Sequence, residues 1–155
     1  MFSEKSIIHI SQFDFKNKQP LKGRYFIIMC NNGDNLVVMS AATKTKHLSD
    51  IETKAGCIKH VISNFHCYHF PKKKIIGAEN NFSFKKDTFI YVNKNIQEKE
   101  ITWLNSEYVE KSLVEKIDIL NSQEYEDLLY CIYTGDHVKR KIKRAIEPIL
   151  EKICK

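Results

Sequence analysis

The segment best suited to chemistry is a short apolar strand that runs directly into hydroxyl, lysine and histidine side chains. Leu36–Met39 is apolar, and a few residues later come Thr43, Lys44, Thr45, Lys46 and His47. Lysines suit a phosphate, hydroxyls can contact its oxygens, and an imidazole can move a proton, so this combination indicates phosphodiester chemistry. The alternative interpretation is a solvated strand end with a polar turn.

A second basic group is expected at the same place. Lys22-Gly23-Arg24 precedes the apolar run Tyr25–Cys30, and the turn signal Asn31-Asn-Gly-Asp34 joins that run to Leu36–Ser40. An antiparallel hairpin would put both basic groups at one end of the strand pair. Metal-free RNA cleavage needs a base, an acid and cations, and this end offers all three. Alternatively, Gly23 only permits a turn and its neighbours are surface charge.

One cluster resembles a metal site. His66-Cys67-Tyr68-His69 lies downstream of Cys57 and His60. On a strand, His66 and Cys67 point to opposite faces, which disfavours a closed zinc site, so we expect no metal and no other cofactor. Packing of these rings on a strand is the preferred interpretation, and RNA base stacking by Phe65, His66 or Tyr68 is the second. The five cysteines have no CxxC spacing, which predicts reduced thiols.

Two further basic stretches are candidates for RNA contacts. In Asn80–Thr88, Phe82 and Phe84 are expected in the core, while Ser83, Lys85 and Lys86 are placed to contact phosphates. Near the carboxy terminus, four cations lie off the apolar helical stripe: Lys139, Arg140, Lys143 and Arg144. A solvated helix face is the alternative there. Membrane adsorption is disfavoured because no Trp or Phe lies on the apolar side.

The elements that must position these residues are strands first and helices later. Short apolar runs separated by turn residues predict strands at Ser6–Ile10, Tyr25–Cys30, Leu36–Met39, Cys57–Ile62, His66–Phe70, Lys74–Ile76 and Thr88–Val92. Pro71–Lys74 is predicted as the loop of a second hairpin. Helical spacing then predicts helices over 108–120, about 128–132 and 138–153, with Asn121 and Glu124 capping the second and Pro148 kinking or dividing the third. The fold class is α+β.

Length and composition set the remaining bounds. The chain has 155 residues, 43% of them hydrophobic, and only 5 Gly and 3 Pro, which predicts one domain over 1–155 with a β core at about 1–100 and helices at about 105–154. No apolar run approaches roughly 18 residues, so a cytoplasmic protein without a membrane partner is expected. Net charge is +6, and residues 137–155 contribute seven Lys/Arg against two Glu, which favours a polyanionic partner. Scattered single aspartates disfavour a carboxylate-metal nuclease.

The strand-end motifs resemble a known superfamily, the MazF/PemK (Kid)-like toxin endoribonucleases. The segment Lys22-Gly-Arg-Tyr-Phe-Ile-Ile28 resembles the place in that superfamily where a lysine leads into a barrel strand. Ser40-Ala-Ala-Thr-Lys-Thr-Lys-His47 resembles the Thr-Ser-Pro-Lys run of its ToxN/AbiQ/CptN branch, although Ala41 and Ala42 stand where that branch has Thr and Ser. The resemblance covers roughly the first 95 residues and implies a compact SH3-like antiparallel β-barrel with a C-terminal helical elaboration.

The resemblance also implies an activity and residue roles. Lys22 and Lys44 would be catalytic or charge-stabilising cations, and Thr43 or Thr45 would contact the phosphate. His47 as general acid or base follows from its chemistry, with Arg24 and Lys46 as further RNA contacts. The leading hypothesis is a metal-independent toxin that leaves 2′,3′-cyclic phosphate ends and is inhibited by a cognate RNA antitoxin in a toxin–RNA assembly. The alternatives are a MazF-type toxin with a protein antitoxin and a non-catalytic RNA-binding barrel.

Overall fold

The computed structural model describes residues 2–14, 21–41, 54–60, 65–92 and 95–153, and for His60 and Phe65 it describes the backbone only. Within these ranges the protein is an α+β fold with eight strands in two antiparallel sheets and three α-helices. The strands are β1 (Ser6–Phe13), β2 (Lys22–Asn31), β3 (Asn35–Ser40), β4 (Gly56–His60), β5 (Phe65–Phe70), β6 (Thr88–Tyr91), β7 (Ile96–Glu100) and β8 (Val114–Ile119). The helices are α1 (Ile101–Leu104), which continues as a π-helical turn over Asn105–Val109, α2 (Ser122–Tyr133) and α3 (Arg140–Ile153).

The larger sheet has the order β7-β3-β2-β1-β8, and the smaller has the order β4-β5-β6. Both are open sheets in the part of the chain that is described. The strands form because β-branched and aromatic residues alternate between two buried faces. One face of the larger sheet packs against the smaller sheet, α2 and α3. The core between them contains Ile27 and Met39 of the larger sheet, Tyr68 of β5, Leu128 of α2 and Ile146 of α3. The other face is covered by α1 and the π-helical turn through Leu104 and Tyr108.

The predicted β2–β3 hairpin is confirmed. Phe26 pairs with Ser40 and Asn31 pairs with Leu36 in an antiparallel ladder. In the turn, the side-chain oxygen of Asn31 accepts a hydrogen bond from the Gly33 N–H at 2.8 Å, and Gly33 has a φ of +100°, which favours glycine. The turn therefore sets the register in which β2 pairs with β3, and it brings the start of β2 beside the end of β3.

Two predicted elements are wrong. Lys74–Ile76 is not a strand paired with β5, because β5 pairs with β4 and β6 while the Ile76 N–H donates to the Phe82 carbonyl at 2.8 Å. The segment 108–120 is not a helix: the π-helical turn ends at Val109, and β8 follows as an edge strand on β1. Its apolar residues fit helical spacing, but pairing with the otherwise open edge of β1 satisfies the backbone instead.

The last two helices agree with the sequence pattern. Asn121 caps α2, and its side chain accepts a hydrogen bond from the Glu124 N–H at 2.9 Å, as predicted. Pro148 lies inside α3, which runs as one helix to Ile153, so the predicted division of the helix at this proline is wrong. No helix in the described ranges is both long and apolar enough to cross a bilayer.

Candidate nucleic-acid interface

The end of the β2–β3 hairpin brings the first basic group beside the start of the second. The Ala41 N–H donates to the Tyr25 carbonyl at 3.0 Å, and the Arg24 guanidinium donates to the Ala41 carbonyl at 3.1 Å. Lys22 begins β2 at this same end. The prediction that Lys22 and Arg24 share an end with the chain leading to Thr43 is therefore confirmed as far as Ala41. The other predicted residues of that run, Thr43, Lys44, Thr45, Lys46 and His47, lie outside the described residues.

A cleft of about 260 Å³ opens at this end of the hairpin. It is lined by Tyr25, Ala41, Phe82, Ser83, Phe84, Lys85, Lys86 and Thr88, and none of these described residues is acidic. Lys85 and Lys86 are exposed, and Ser83 is half-buried. Three residues predicted as phosphate contacts from sequence, Ser83, Lys85 and Lys86, thus meet the end of β2 in one concave surface.

The floor of the cleft is a cluster of three aromatic rings. The Tyr25 ring centroid lies 5.4 Å from that of Phe82 and 5.5 Å from that of Phe84, and Phe82 and Phe84 are 5.0 Å apart. Phe84 is buried, in agreement with the core position predicted for it, whereas Phe82 and Tyr25 are half-buried. Partly exposed rings beside lysines form a surface on which a base can stack while its phosphate meets a cation.

The loop that carries Phe82 and Ser83 is fixed by a buried carboxylate. Asp118 on β8 is 1% exposed and accepts hydrogen bonds from the backbone N–H groups of Glu79, Asn80 and Phe82, each at 3.0 Å. Burial acts to raise the pKa of Asp118, but these donors and the Ile119 N–H outweigh it, and the pKa is held below its usual value. The aromatic side of the cleft is therefore preorganised.

A second carboxylate holds the other end of the same loop. Asp87 accepts from the Lys72 N–H at 3.0 Å and lies 3.2 Å from Nε2 of His69. The Lys72 N–H is the main reason that the pKa of Asp87 is lowered. The His69 ring is buried and stacks on Phe89 at 4.5 Å, so this pair fastens the loop to β5 and β6.

Lys22 and Arg24 lie on the opposite face of β2 from Tyr25, because side chains alternate along a strand. The Arg24 guanidinium nevertheless contacts a cleft residue, because it donates to the Ala41 carbonyl. Burial lowers the pKa of Arg24, although its guanidinium remains a cation near neutral pH. Arg24 therefore contacts the cleft only at the Ala41 carbonyl, Lys22 lies on the opposite face of β2, and neither predicted cation lines the cleft.

The structure adds His9, which the sequence analysis did not select. His9 on β1 pairs with Tyr25, and their ring centroids are 4.7 Å apart. A Cβ at Gly23 would lie 2.9 Å from Nε2 of His9, so glycine at this position makes room for the imidazole. His9 lies in the apolar run Ile7–Ile10, and only its place on the Tyr25 face, found by pairing, reveals it. Through its contact with Tyr25, His9 places an imidazole beside the cleft.

The basic residues of α3 belong to a different surface. The Cys30 thiol contacts the Ala145 carbonyl of α3 at 3.5 Å, and Lys141 forms an ion pair with Glu98 on β7 at 2.9 Å. Cys30 is five residues along β2 from Tyr25, a distance of about 16 Å in a strand. Lys139, Arg140 and Arg144 are exposed and Lys143 is half-buried, but these four predicted RNA contacts are not brought to the cleft.

His66 is also placed away from the cleft, and the prediction of reduced thiols is wrong for two cysteines. Cys57 and Cys131 form a disulfide, and Nε2 of His66 lies 3.4 Å and 3.2 Å from their sulfurs. Burial, followed by the charge of Lys59, lowers the pKa of His66 to about 4. With its ring packed in this cluster, His66 is not a base-stacking residue at the cleft, and the side chain of Phe65 lies outside the described part of the chain.

His66 and Cys67 point to opposite faces of β5, as predicted, but His66 forms a cluster with Cys57 and Cys131 instead. His66 faces α2, whereas Cys67 is buried on the far face with Ile58 and Phe89. Burial raises the pKa of the Cys67 thiol to about 12, and Cys67 and Cys30 are both free cysteines. Sequence reasoning missed Cys131 because it comes from a helix 65 residues beyond His66.

Comparison with protein-family models, with curated proteins and with solved structures finds no match for this chain.

Proposed function

We propose that the protein is an endoribonuclease toxin that binds single-stranded RNA in the cleft and cleaves it without a metal ion. The observation that carries this proposal is the cleft itself: three aromatic rings, two exposed lysines and a serine at the strand end that begins with Lys22 and leads to Thr43–His47. The resemblance of the strand-end motifs to the MazF/PemK superfamily supports the same activity.

Recognition of a single strand fits the chemistry of the cleft walls. Unpaired bases stack on exposed aromatic faces, and each base has such a face, so Tyr25 and Phe82 offer binding that tolerates different sequences. Lys85 and Lys86 then neutralise phosphates, and Ser83 donates to a phosphate oxygen. The absence of acidic residues among the described cleft residues avoids repulsion of the backbone.

Cleavage uses the 2′-hydroxyl of the RNA as nucleophile. A general base removes its proton, the oxygen attacks the adjacent phosphorus, and an acid protonates the departing 5′-oxygen, leaving a 2′,3′-cyclic phosphate and a 5′-hydroxyl. His47 and His9 are the two imidazoles that we assign to proton transfer. Lys22, Lys44 and a hydroxyl from Thr43 or Thr45 stabilise the charge on the pentacoordinate phosphorus.

The finer features of this proposal rest on the resemblance. They are an SH3-like barrel as the fold of the β core, and inhibition by a cognate RNA in a toxin–RNA assembly. The proposed cytoplasmic location rests on the sequence, which has no apolar run of roughly 18 residues. A basic cleft and a separate basic helix suit an RNA inhibitor, since both attract a polyanion. Purification from the native locus distinguishes the inhibitors: an RNA that travels with the chain supports this assembly, and a small acidic protein supports a MazF-type toxin.

The activity is tested with purified protein and a mixed-sequence RNA, without added metal. We expect cleavage with 2′,3′-cyclic phosphate ends, and a loss of rate by a factor of about 10² or more in Lys44→Ala, His47→Ala and His9→Ala. Lys111→Ala and His137→Ala are matched controls outside the cleft and should retain the wild-type rate. A circular-dichroism melt verifies that each variant is folded.

The outcomes separate the alternatives. Full activity in folded Lys44→Ala and His47→Ala would show that the strand-end residues are not catalytic. Wild-type protein that binds the RNA but never cleaves it would overturn the enzymatic proposal in favour of a non-catalytic binding protein.

A further inference from the structure

Three side chains that can bind a metal ion come from three separate elements and meet at one point between the smaller sheet and α2. Cys57 comes from β4, His66 from β5 and Cys131 from α2, and their ligand atoms all lie within 4.8 Å of one another. Cys131 is buried and the other two are half-buried. Within the described residues, this is the one place where three such groups converge.

The imidazole is aimed at the sulfurs by the chain behind it. A Cβ at Gly135 would lie 3.0 Å from Nδ1 and Cε1 of His66, so the edge of the ring that carries Nδ1 packs against that glycine. Nε2 therefore faces Cys57 and Cys131, at 3.4 Å and 3.2 Å. A disulfide needs only two sulfurs, and it does not explain why a nitrogen donor is directed at both.

We propose that Cys57, His66 and Cys131 bind one Zn²⁺ when the Cys57–Cys131 disulfide is reduced. Two thiolates and an imidazole are ligands that zinc prefers, and three protein ligands leave the fourth tetrahedral position for water. The Cα atoms of the two cysteines are 5.6 Å apart, so both side chains can approach one ion at the Zn–S distance of about 2.3 Å.

The chemistry balances with a dithiol as reductant. A dithiol gives two electrons and two protons to the Cys57–Cys131 disulfide and becomes a disulfide itself. Zn²⁺ then displaces the two thiol protons, which go to solvent, and binds the two thiolates and Nε2 of His66. Zinc binding and disulfide formation exclude each other because they use the same two sulfurs.

Either state connects α2 to the smaller sheet at the same place. Lys59 of β4 already donates to the carbonyl and the hydroxyl of Thr134, at 2.9 Å and 2.7 Å, just beyond the end of α2. His66 is four residues along β5 from Phe70, which pairs with Thr88 at the cleft, a distance of about 13 Å. The proposed zinc site is therefore separate from the RNA cleft and does not depend on the proposed activity.

The site is tested by titrating the full chain with Co²⁺ as a spectroscopic probe of zinc sites, after treatment with a dithiol and removal of the excess reductant. We expect one Co²⁺ per chain with a thiolate-to-metal charge-transfer band, displaced by Zn²⁺. His66→Ala keeps both thiols and should weaken Zn²⁺ binding at least tenfold, and Cys57→Ser and Cys131→Ser should abolish the charge-transfer band of a two-thiolate site. Cys30→Ser and Cys67→Ser replace free cysteines and are matched controls that should leave the titration unchanged.

The oxidised wild-type chain provides the comparison that needs no substitution. It should bind no Co²⁺ at this site, whereas the reduced chain binds one. If the reduced chain shows no thiolate-to-metal band, or if His66→Ala binds Zn²⁺ as tightly as wild type, the proposal is overturned. RNA takes no part in the assay, so the result is independent of whether the cleft cleaves RNA.

Discussion

Asp118 packs directly against Gly77, and its carboxylate occupies the space that a β-carbon at that glycine would need. The same carboxylate receives backbone N–H groups from the loop that carries Phe82 and Ser83 into the cleft. A residue without a side chain and a buried anion thus act together: the glycine admits the carboxylate, and the carboxylate fixes the loop.

Gly77→Ala should therefore destabilise the protein. The added methyl group overlaps the Asp118 carboxylate and would also approach the Phe82 N–H at 2.7 Å, so hydrogen bonds to the loop must break. We expect a loss of about 2–4 kcal/mol in the free energy of unfolding, from overpacking combined with unsatisfied buried groups. Urea unfolding measures it, and Ala78→Ser, at an exposed neighbour, is the control that should remain near wild type.

The Asp118 carboxylate should also make stability depend on pH in the acid range. Its folded-state pKa lies below the unfolded value of about 3.9, so its contribution is complete above that value and is lost as the pH falls through the lower folded-state pKa. Asp118→Asn cannot carry this dependence. Comparing urea midpoints from pH 7 to pH 2, we expect the difference between wild type and Asp118→Asn to shrink below about pH 4. A difference that grows on acidification would contradict this assignment.

A second buried carboxylate, that of Glu124 on α2, should stabilise the fold through its hydrogen-bond and ion-pair partners. The Tyr68 hydroxyl donates to Glu124, and Lys74 forms an ion pair with it at 2.6 Å. Tyr68→Phe removes a donor from a buried anion and should cost about 1–3 kcal/mol of unfolding free energy. Lys74→Met should cost less, because the lysine side chain is 45% exposed and solvent screens the pair.

Thermal or urea unfolding of Tyr68→Phe and Lys74→Met measures both effects. Lys72→Met, at an exposed lysine two residues earlier, serves as the control for the loss of one positive charge. An unchanged midpoint in Tyr68→Phe would show that the remaining contacts of Glu124 are sufficient.

The parts of the fold that the sequence predicted are those set by local chemistry. The Asn-Asn-Gly turn sets the β2–β3 pairing, and the alternating apolar runs locate β1, β5 and β6. The cap at Asn121 and the apolar stripe of α3 locate the last two helices. From these elements, the meeting of Lys22 and Arg24 with the end of β3 followed directly.

The parts that were missed depend on partners distant in sequence. β7 carries Gln97, Glu98 and Lys99 and β8 carries Glu115 and Lys116, and such polar edge strands have no apolar run to mark them. The Cys57–Cys131 disulfide and the Tyr25–His9 contact each join two elements of the fold. The sequence separation between the partners gives no indication that they meet. Asp118 lies among charged residues of β8, and only the loop folded against it explains its burial.

The salt dependence of RNA binding should distinguish the contribution of the cleft from that of the basic helix α3. Each phosphate contact on a single strand contributes about 0.7 to the slope of log affinity against log salt. The double substitution Lys85→Glu with Lys86→Glu should therefore flatten the slope by about 1.4 for a short oligonucleotide that fills only the cleft. Arg140→Glu with Arg144→Glu should leave that short oligonucleotide unaffected, because α3 packs about 16 Å along β2 from the cleft end.

A longer single strand that reaches both surfaces should respond to both double substitutions. Fluorescence anisotropy of short and long oligonucleotides over a series of salt concentrations measures the slopes, and Lys111→Glu is the control for a change of charge elsewhere. If the α3 variant leaves the slope of the long strand unchanged, the helix is a solvated face. If the Lys85 and Lys86 variant leaves the slope of the short strand unchanged, the cleft is not where RNA binds, since no loss of two phosphate contacts can leave counterion release the same.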